Sequence, residues 1–193
     1  MLKQEIRHYH DSGEYEQEIQ QQIDAAQQFL LKKVHYYQTH TPAKKLALVL
    51  DIDETSLSNY NKIDRRDFAG NKKEIHQEIL AADAPAIEAT LRLYQLALKN
   101  NVAVFFVTGR SPSEREATER NLLKAGYKNW AALYMRPDED NKKTAAYYKA
   151  VCRKNIESKG YLIIETIGDQ DSDLLGGHAL KKIKLPNPFY YLP

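Results

Sequence analysis

Two short acidic clusters carry the residues best suited to chemistry: Asp51-Ile52-Asp53-Glu54-Thr55 and Gly168-Asp169-Gln170-Asp171-Ser172-Asp173. Two aspartates two apart at the end of a strand can both reach one ligand if the backbone turns there. An ionised Asp51 can attack phosphorus and form an aspartyl-phosphate, which divides ester hydrolysis into two easier steps. Asp53 can protonate the leaving alcohol and then activate water. The three acids of 169–173 offer hard oxygen ligands with no His or Cys beside them. That donor set suits magnesium, which keeps waters and phosphate oxygens in its own shell. A calcium loop of EF-hand type would need a Glu twelve positions from its start, and none stands there.

Two further groups complete a phosphate site. Thr108-Gly109-Arg110 offers a hydroxyl and closely spaced backbone N–H groups next to a helix start, where an anion is favoured. Lys149 is the preferred cation to offset the phosphate, with Lys143 second and Lys142 beside it. Taken singly, each signal has a plain structural explanation. Acids cap turns, a Thr-Gly pair makes an ordinary strand-to-helix turn, and most lysines are solvated. Their common placement is what favours chemistry.

That placement follows from the elements. Leu46–Leu50 is an apolar run ending at Asp51, as expected of a strand buried on both faces. Val102–Val107, Trp130–Met135 and Leu162–Ile167 read as further strands, and Lys181–Leu185 as a weaker fifth. Ile19, Ile23, Ala26, Leu30, Val34 and Tyr37 make one face of an amphipathic helix. Asp83 with Pro85 predicts a helix start, followed by the stripe Ile87, Leu91, Tyr94 and Leu98. Ser111-Pro112-Ser113-Glu114 is a capping box opening a helix to about Ala125, with Gly126 as its stop. Another helix is expected over 142–158. Residues 56–83 read as loop and short helix. Strands alternating with helices predict an open parallel α/β sheet with helices on both faces, in which ligands bind beyond the carboxyl ends of the strands. Asp51, Asp53, Thr108, Asp169 and Asp173 all follow strands at that edge.

DIDET at 51–55, VTGR at 107–110, YK at 148–149 and GDQDSD at 168–173 resemble the four motifs of the haloacid-dehalogenase superfamily. Within it, DIDETSLSNY, FFVTGR, GYKNW and IGDQDSDLLGG are similar to the acid phosphatase subfamily, which holds class B and class C bacterial acid phosphatases and plant acid phosphatases or vegetative storage proteins. The likeness runs from about Lys45 to Leu185. It implies one Rossmann-like domain over 1–193, with an N-terminal helical extension at about 14–40 and a small cap inserted at about 56–100. It implies Asp51 as nucleophile, Asp53 as general acid and base, and Thr108, Gly109 and Lys149 at the phosphate. It implies Mg2+ held by Asp51, the Asp53 carbonyl and Asp169, with Asp173 in support. Tyr60 and Phe68 of the cap are candidates for the leaving-group side. The expected activity is a magnesium-dependent acid phosphatase acting on small monoesters such as nucleotides or sugar phosphates. The alternatives are transfer to alcohol acceptors, or a storage or phosphate-binding relative without turnover. Relatives are often exported, so the resemblance implies a periplasmic or secreted protein if a signal peptide has been removed, and a cytoplasmic one otherwise.

Bulk properties limit the partners. Lys+Arg 28 against Asp+Glu 26 gives a net charge of +2, too small to argue for nucleic acid or an anionic membrane. No apolar run approaches the roughly 18 residues of a bilayer span. A single cysteine, Cys152, excludes an intrachain disulfide. The six histidines form no HExxH or comparable metal spacing, and no GxSxG, GxxxxGK[ST] or GxGxxG stands in the chain.

Overall fold

Five strands carry the apolar runs: β1 Lys45–Leu50, β2 Ala103–Thr108, β3 Ala132–Met135, β4 Tyr161–Gly168 and β5 Lys181–Lys184. They pair in parallel throughout, in the order β3-β2-β1-β4-β5, in a computed structural model that describes residues 2–137 and 144–192. The chain reverses its direction of sheet growth beside β1, so the crevice used by ligands in open α/β sheets lies at the end of that strand.

Strand alternation assigns the two faces. Leu46, Leu48 and Leu50 share a core with Ile23, Ala26 and Leu30 of the long helix α2 (Glu14–His40) and with Leu93, Tyr94 and Ala97 of α5 (Glu88–Lys99). Ala47, Val49, Phe105, Val107 and Ile163 meet Tyr148, Cys152 and Ile156 of α7 (Ala145–Ser158) on the opposite face. Five of the six residues predicted to line α2, Ile19, Ile23, Ala26, Leu30 and Val34, are buried and Tyr15 joins them, while Tyr37 is only half-buried at the edge of the core. Parallel strands covered on both faces cannot use the polar-outward alternation of an exposed sheet, which is why their sequences read as unbroken apolar runs.

One register shift breaks the alternation. Ala47 pairs with Ile163, but Leu48 pairs with Glu165. The extra residue of this bulge turns Glu165 toward the α2 side, next to its β5 partner Lys181, whose ammonium lies 4.9 Å from the Phe29 ring centre of α2.

A short helix α1 (Lys3–Asp11) precedes α2, and α3 (Tyr60–Arg65) and α4 (Lys72–Ala81) occupy the interval between β1 and α5. Asn71 caps α4 by accepting from Glu74 N–H at 3.0 Å, while the Glu74 carboxylate accepts from Asn71 N–H at 3.1 Å. Arg7 of α1 reaches Asp64 at 2.6 Å and Asp67 at 2.9 Å, tying α1 to this insertion.

Two expectations need adjustment. The helix expected from Asp83 begins at Glu88. Residues 84–87 are instead extended, because Ser58 N–H donates to Pro85 O at 2.9 Å and Ile87 N–H to Ser56 O at 3.0 Å. Asp83 pairs with Lys62 at 2.5 Å rather than capping a helix. The Ser111–Glu114 box is present, with Ser111 N–H donating to the Glu114 carboxylate at 2.8 Å, but its first turn is 3₁₀, with helix α6 following over Arg115–Lys124. For α7, Thr144 is the N-cap, its Oγ1 accepting from Tyr147 N–H at 3.2 Å. Lys142 and Lys143 lie outside the described residues.

Candidate active site

The sheet brings the two acidic clusters together. Asp51 N–H donates to Ile167 O at 3.0 Å, which extends the β1–β4 ladder one residue beyond Leu50. Thr55 Oγ1 donates to Asp169 Oδ1 at 3.0 Å across 114 residues of sequence. Carboxylate oxygens of Asp51, Asp169 and Asp173 lie within 4.8 Å of one another, and all three residues are buried. Among the described residues this is the one grouping of acids, His or Cys close enough to share an ion.

Lys149 Nζ enters from α7 between two of these acids, 2.7 Å from Asp51 Oδ1 and also in contact with Asp173 Oδ1. Burial alone would favour the neutral amine. The charges of Asp51 and Asp173 outweigh it and hold the lysine pKa above its ordinary value, so the ammonium is charged. Asp51 and Asp169 are both pushed up, by burial first and next by the neighbouring Asp173.

Asp53 is partnered differently. Its carboxylate accepts from Arg110 Nη2 at 2.7 Å and Nε at 3.0 Å, a two-pronged pair, and from Asn59 Nδ2 at 2.8 Å. Burial raises its pKa, but the charge and hydrogen bonds of Arg110 prevail and lower it. Its carboxylate is therefore not part of the three-acid group. Thr108 is fully buried at the end of β2, its Oγ1 accepting from Arg110 N–H at 3.2 Å. Gly109 faces open space where a side chain would be. Tyr60 and Phe68 are engaged by α1: Tyr60 stacks on His10 with ring centres 3.3 Å apart, and Phe68 lies 5.1 Å from the Arg7 guanidinium.

The acids form a donor set that fits a divalent cation. Asp51, Asp169 and Asp173 gather three carboxylates around the one ammonium of Lys149, while Asp53 is already paired with Arg110, so the acids of the group outnumber the cation in contact with them. All four ligand candidates are oxygen donors, as magnesium requires. A groove of about 460 Å³ lined by Gln4, Glu5, His8, Tyr9 and Glu14 is roomier, but it contains none of these residues.

Several supporting residues escape the sequence reading. Arg153 is fully buried and pairs with no carboxylate among the described residues; its guanidinium donates to the carbonyls of Asp173 at 2.8 Å, Gly177 at 2.9 Å and also Leu175. It follows Lys149 by four positions on α7, a helical spacing that places both on one face and would have singled it out. Glu54, with φ +54°, accepts from Asn59 N–H and from Tyr190 Oη at 2.7 Å. Burial, then the charge of Asp53, pushes its pKa up to about 8. Asn187 Nδ2 donates to Asp169 Oδ2 at 2.7 Å. Asn187 and Tyr190 follow the last strand, beyond the reach of any strand-end pattern.

Comparison with known proteins identifies the family and the fold. Over residues 1–193 the chain matches the family described as HAD superfamily, subfamily IIIB (Acid phosphatase). It is 38% identical to Acid phosphatase 1 of Solanum lycopersicum over 148 residues, which is 75% of this chain and 58% of that protein. It is 30% identical to Vegetative storage protein 2 of Arabidopsis thaliana over 174 residues, covering 84% of this chain and 63% of that protein. The chain thus spans less than two thirds of the length of each. In three dimensions it resembles the class C acid phosphatase of Bacillus anthracis with a TM-score of 0.78 at 22% identity, covering 95% of this chain and 82% of that one. That likeness shows the fold: a parallel α/β sheet of haloacid-dehalogenase type. The chain belongs to subfamily IIIB of the haloacid-dehalogenase superfamily, the acid phosphatase subfamily.

Proposed function

We propose that the protein hydrolyses small phosphate monoesters through an aspartyl-phosphate on Asp51, with Mg2+ bound by Asp51, Asp169, Asp173 and the Asp53 carbonyl. The observation that carries this reading is the convergence of three buried carboxylates and one buried ammonium at the end of β1. A divalent cation there would neutralise charge on the substrate phosphate and lower the repulsion between it and the carboxylates.

An oxygen of Asp51 attacks phosphorus while the ester P–O bond breaks. The departing oxygen takes that bond's electron pair and a proton from Asp53. In the second step Asp53 accepts a proton from water, whose oxygen attacks phosphorus and releases the Asp51 carboxylate together with inorganic phosphate. Lys149 and the backbone at Thr108–Gly109 bind the phosphoryl oxygens. Arg110 fixes the rotamer of Asp53, so the proton is delivered from a set direction. An acid optimum is part of the proposal, since the first step needs Asp53 protonated while Arg110 holds its pKa below the ordinary carboxylate value.

Turnover of an aryl phosphate with and without a magnesium chelator tests the reading. Asp51→Asn is expected to lose about 10³-fold or more in kcat, and chelation to abolish the activity of the unaltered protein. Full activity in either case overturns the proposal. Kinship with a vegetative storage protein favours a second reading, a fold retained without turnover. Magnesium-dependent phosphate binding with no hydrolysis would establish that instead.

A further inference from the structure

Beyond β5 the chain turns back across the acid site. Asn187 Nδ2 and Gln170 Nε2 both donate to Asp169 Oδ2, at 2.7 and 2.6 Å. Neither amide is free to flip. Asn187 Oδ1 accepts from Phe189 N–H at 2.9 Å, and Gln170 Oε1 accepts from Leu192 N–H at 3.1 Å. Each amide oxygen is thereby committed to a backbone donor, which leaves the NH₂ group to face the carboxylate. The segment is anchored on both sides of these bonds. Phe189 is buried, with ring centres of Tyr15 at 5.0 Å and Tyr60 at 5.1 Å, and Tyr190 Oη donates to Glu54.

We infer that segment 186–192 is a working part of the acid site, in which Asn187 positions Asp169 so that its Oδ1 is the oxygen presented to the cation. The inference rests on the magnesium reading above. Two amide N–H donors held by backbone saturate Oδ2. The donor on Oδ1 is the single hydroxyl of Thr55, which leaves that oxygen with lone-pair capacity for a cation. A carboxylate pinned at one oxygen presents the other in a single orientation, and groups that orient metal ligands in this way commonly govern affinity by ten- to a hundredfold.

The test is a calorimetric titration of the full chain with MgCl₂, alongside the Mg2+ dependence of aryl phosphate turnover. Asn187→Leu is expected to raise the Mg2+ dissociation constant about tenfold, with kcat at saturating Mg2+ within about twofold of the unaltered protein. A purely structural role would lower the melting temperature without separating these two readouts. Leu192→Pro guards against a misfolded Leu variant. Leu192 is 54% exposed, so the change removes the N–H that fixes Gln170 and little packing. It should weaken Mg2+ about threefold, whereas Leu192→Ala, which keeps the N–H, should not. Unaltered Mg2+ affinity in both Asn187→Leu and Leu192→Pro overturns the inference. An unaltered protein that binds no Mg2+ at all overturns the metal reading beneath it.

Discussion

Glu165 and Asp169 lie four residues apart along one stretch of chain, both buried, and their surroundings treat them in opposite ways. Glu165 points from the bulge of β4 toward α2, and neither of its oxygens has a hydrogen-bond partner among the described residues. Asp169 accepts hydrogen bonds from Thr55, Gln170 and Asn187. Burial lifts the Glu165 carboxyl to about 8, with Lys181 offering only partial relief. An acid in the middle of the strand is thus kept by neutralising it. An acid at the strand's end is surrounded by donors, where the parallel ladder stops and side chains from distant segments can meet it. Burial of a carboxylate therefore does not mark a site; the company it keeps does.

Three substitutions sharpen this contrast. The largest effect is expected from Lys149→Met, which leaves Asp51 and Asp173 buried without their cation. Aryl phosphate turnover should fall about 10²–10³-fold, and a loss under threefold would show that the ammonium is incidental to the site.

Glu165→Met should act on stability rather than turnover. Its folded-state pKa of about 8 lies above the ordinary 4.5, so the folded protein holds a proton that the unfolded chain releases. Below 4.5 the two states are protonated alike and the group carries no pH-linked cost. The cost grows as pH rises and is complete above about 8. Melting temperatures of the Met variant should therefore exceed those of the unaltered protein by several degrees at pH 8, with a smaller gain at pH 5. A difference that does not change with pH would mean that Glu165 has a partner in solution.

The smallest of the three effects belongs to Arg153→Lys. An ammonium cannot serve the carbonyls of Asp173, Leu175 and Gly177 together, so at least one buried acceptor is stranded at about 1–3 kcal/mol. Chemical denaturation should report that loss, together with a modest rise in the Mg2+ requirement. Stability equal to that of the unaltered protein would count against the loop-holding role.

Much of this was legible in the sequence because it depends on strand ends. Asp51, Thr108 and Asp169 each close an apolar run, and parallel topology places every such end at one edge. Lys149 was legible through its Tyr-Lys pair and its helix. Glu165 was not, since the bulge inserts a residue and reverses the face on which it lies. The start of α5 was misplaced because Asp83-Pro85 has the chemistry of a helix entry, and only the return of Ser56–Ser58 alongside makes those residues extended. Asn187 and Tyr190 act through contacts with residues up to 136 positions earlier, and no local pattern encodes such a meeting.

The central position of β1 has a kinetic consequence. Its neighbour β4 begins 116 positions after β1 does, and the pairing of Lys45 with Tyr161 closes that loop. A nascent chain that has formed β1, β2 and β3 already displays Asp51 but lacks Asp169, Asp173 and Lys149, the lysine that lies between Asp51 and Asp173. Whichever contacts form first, competence for chemistry arrives only when the fourth strand docks, at the high loop-closure cost of a long-range parallel pairing.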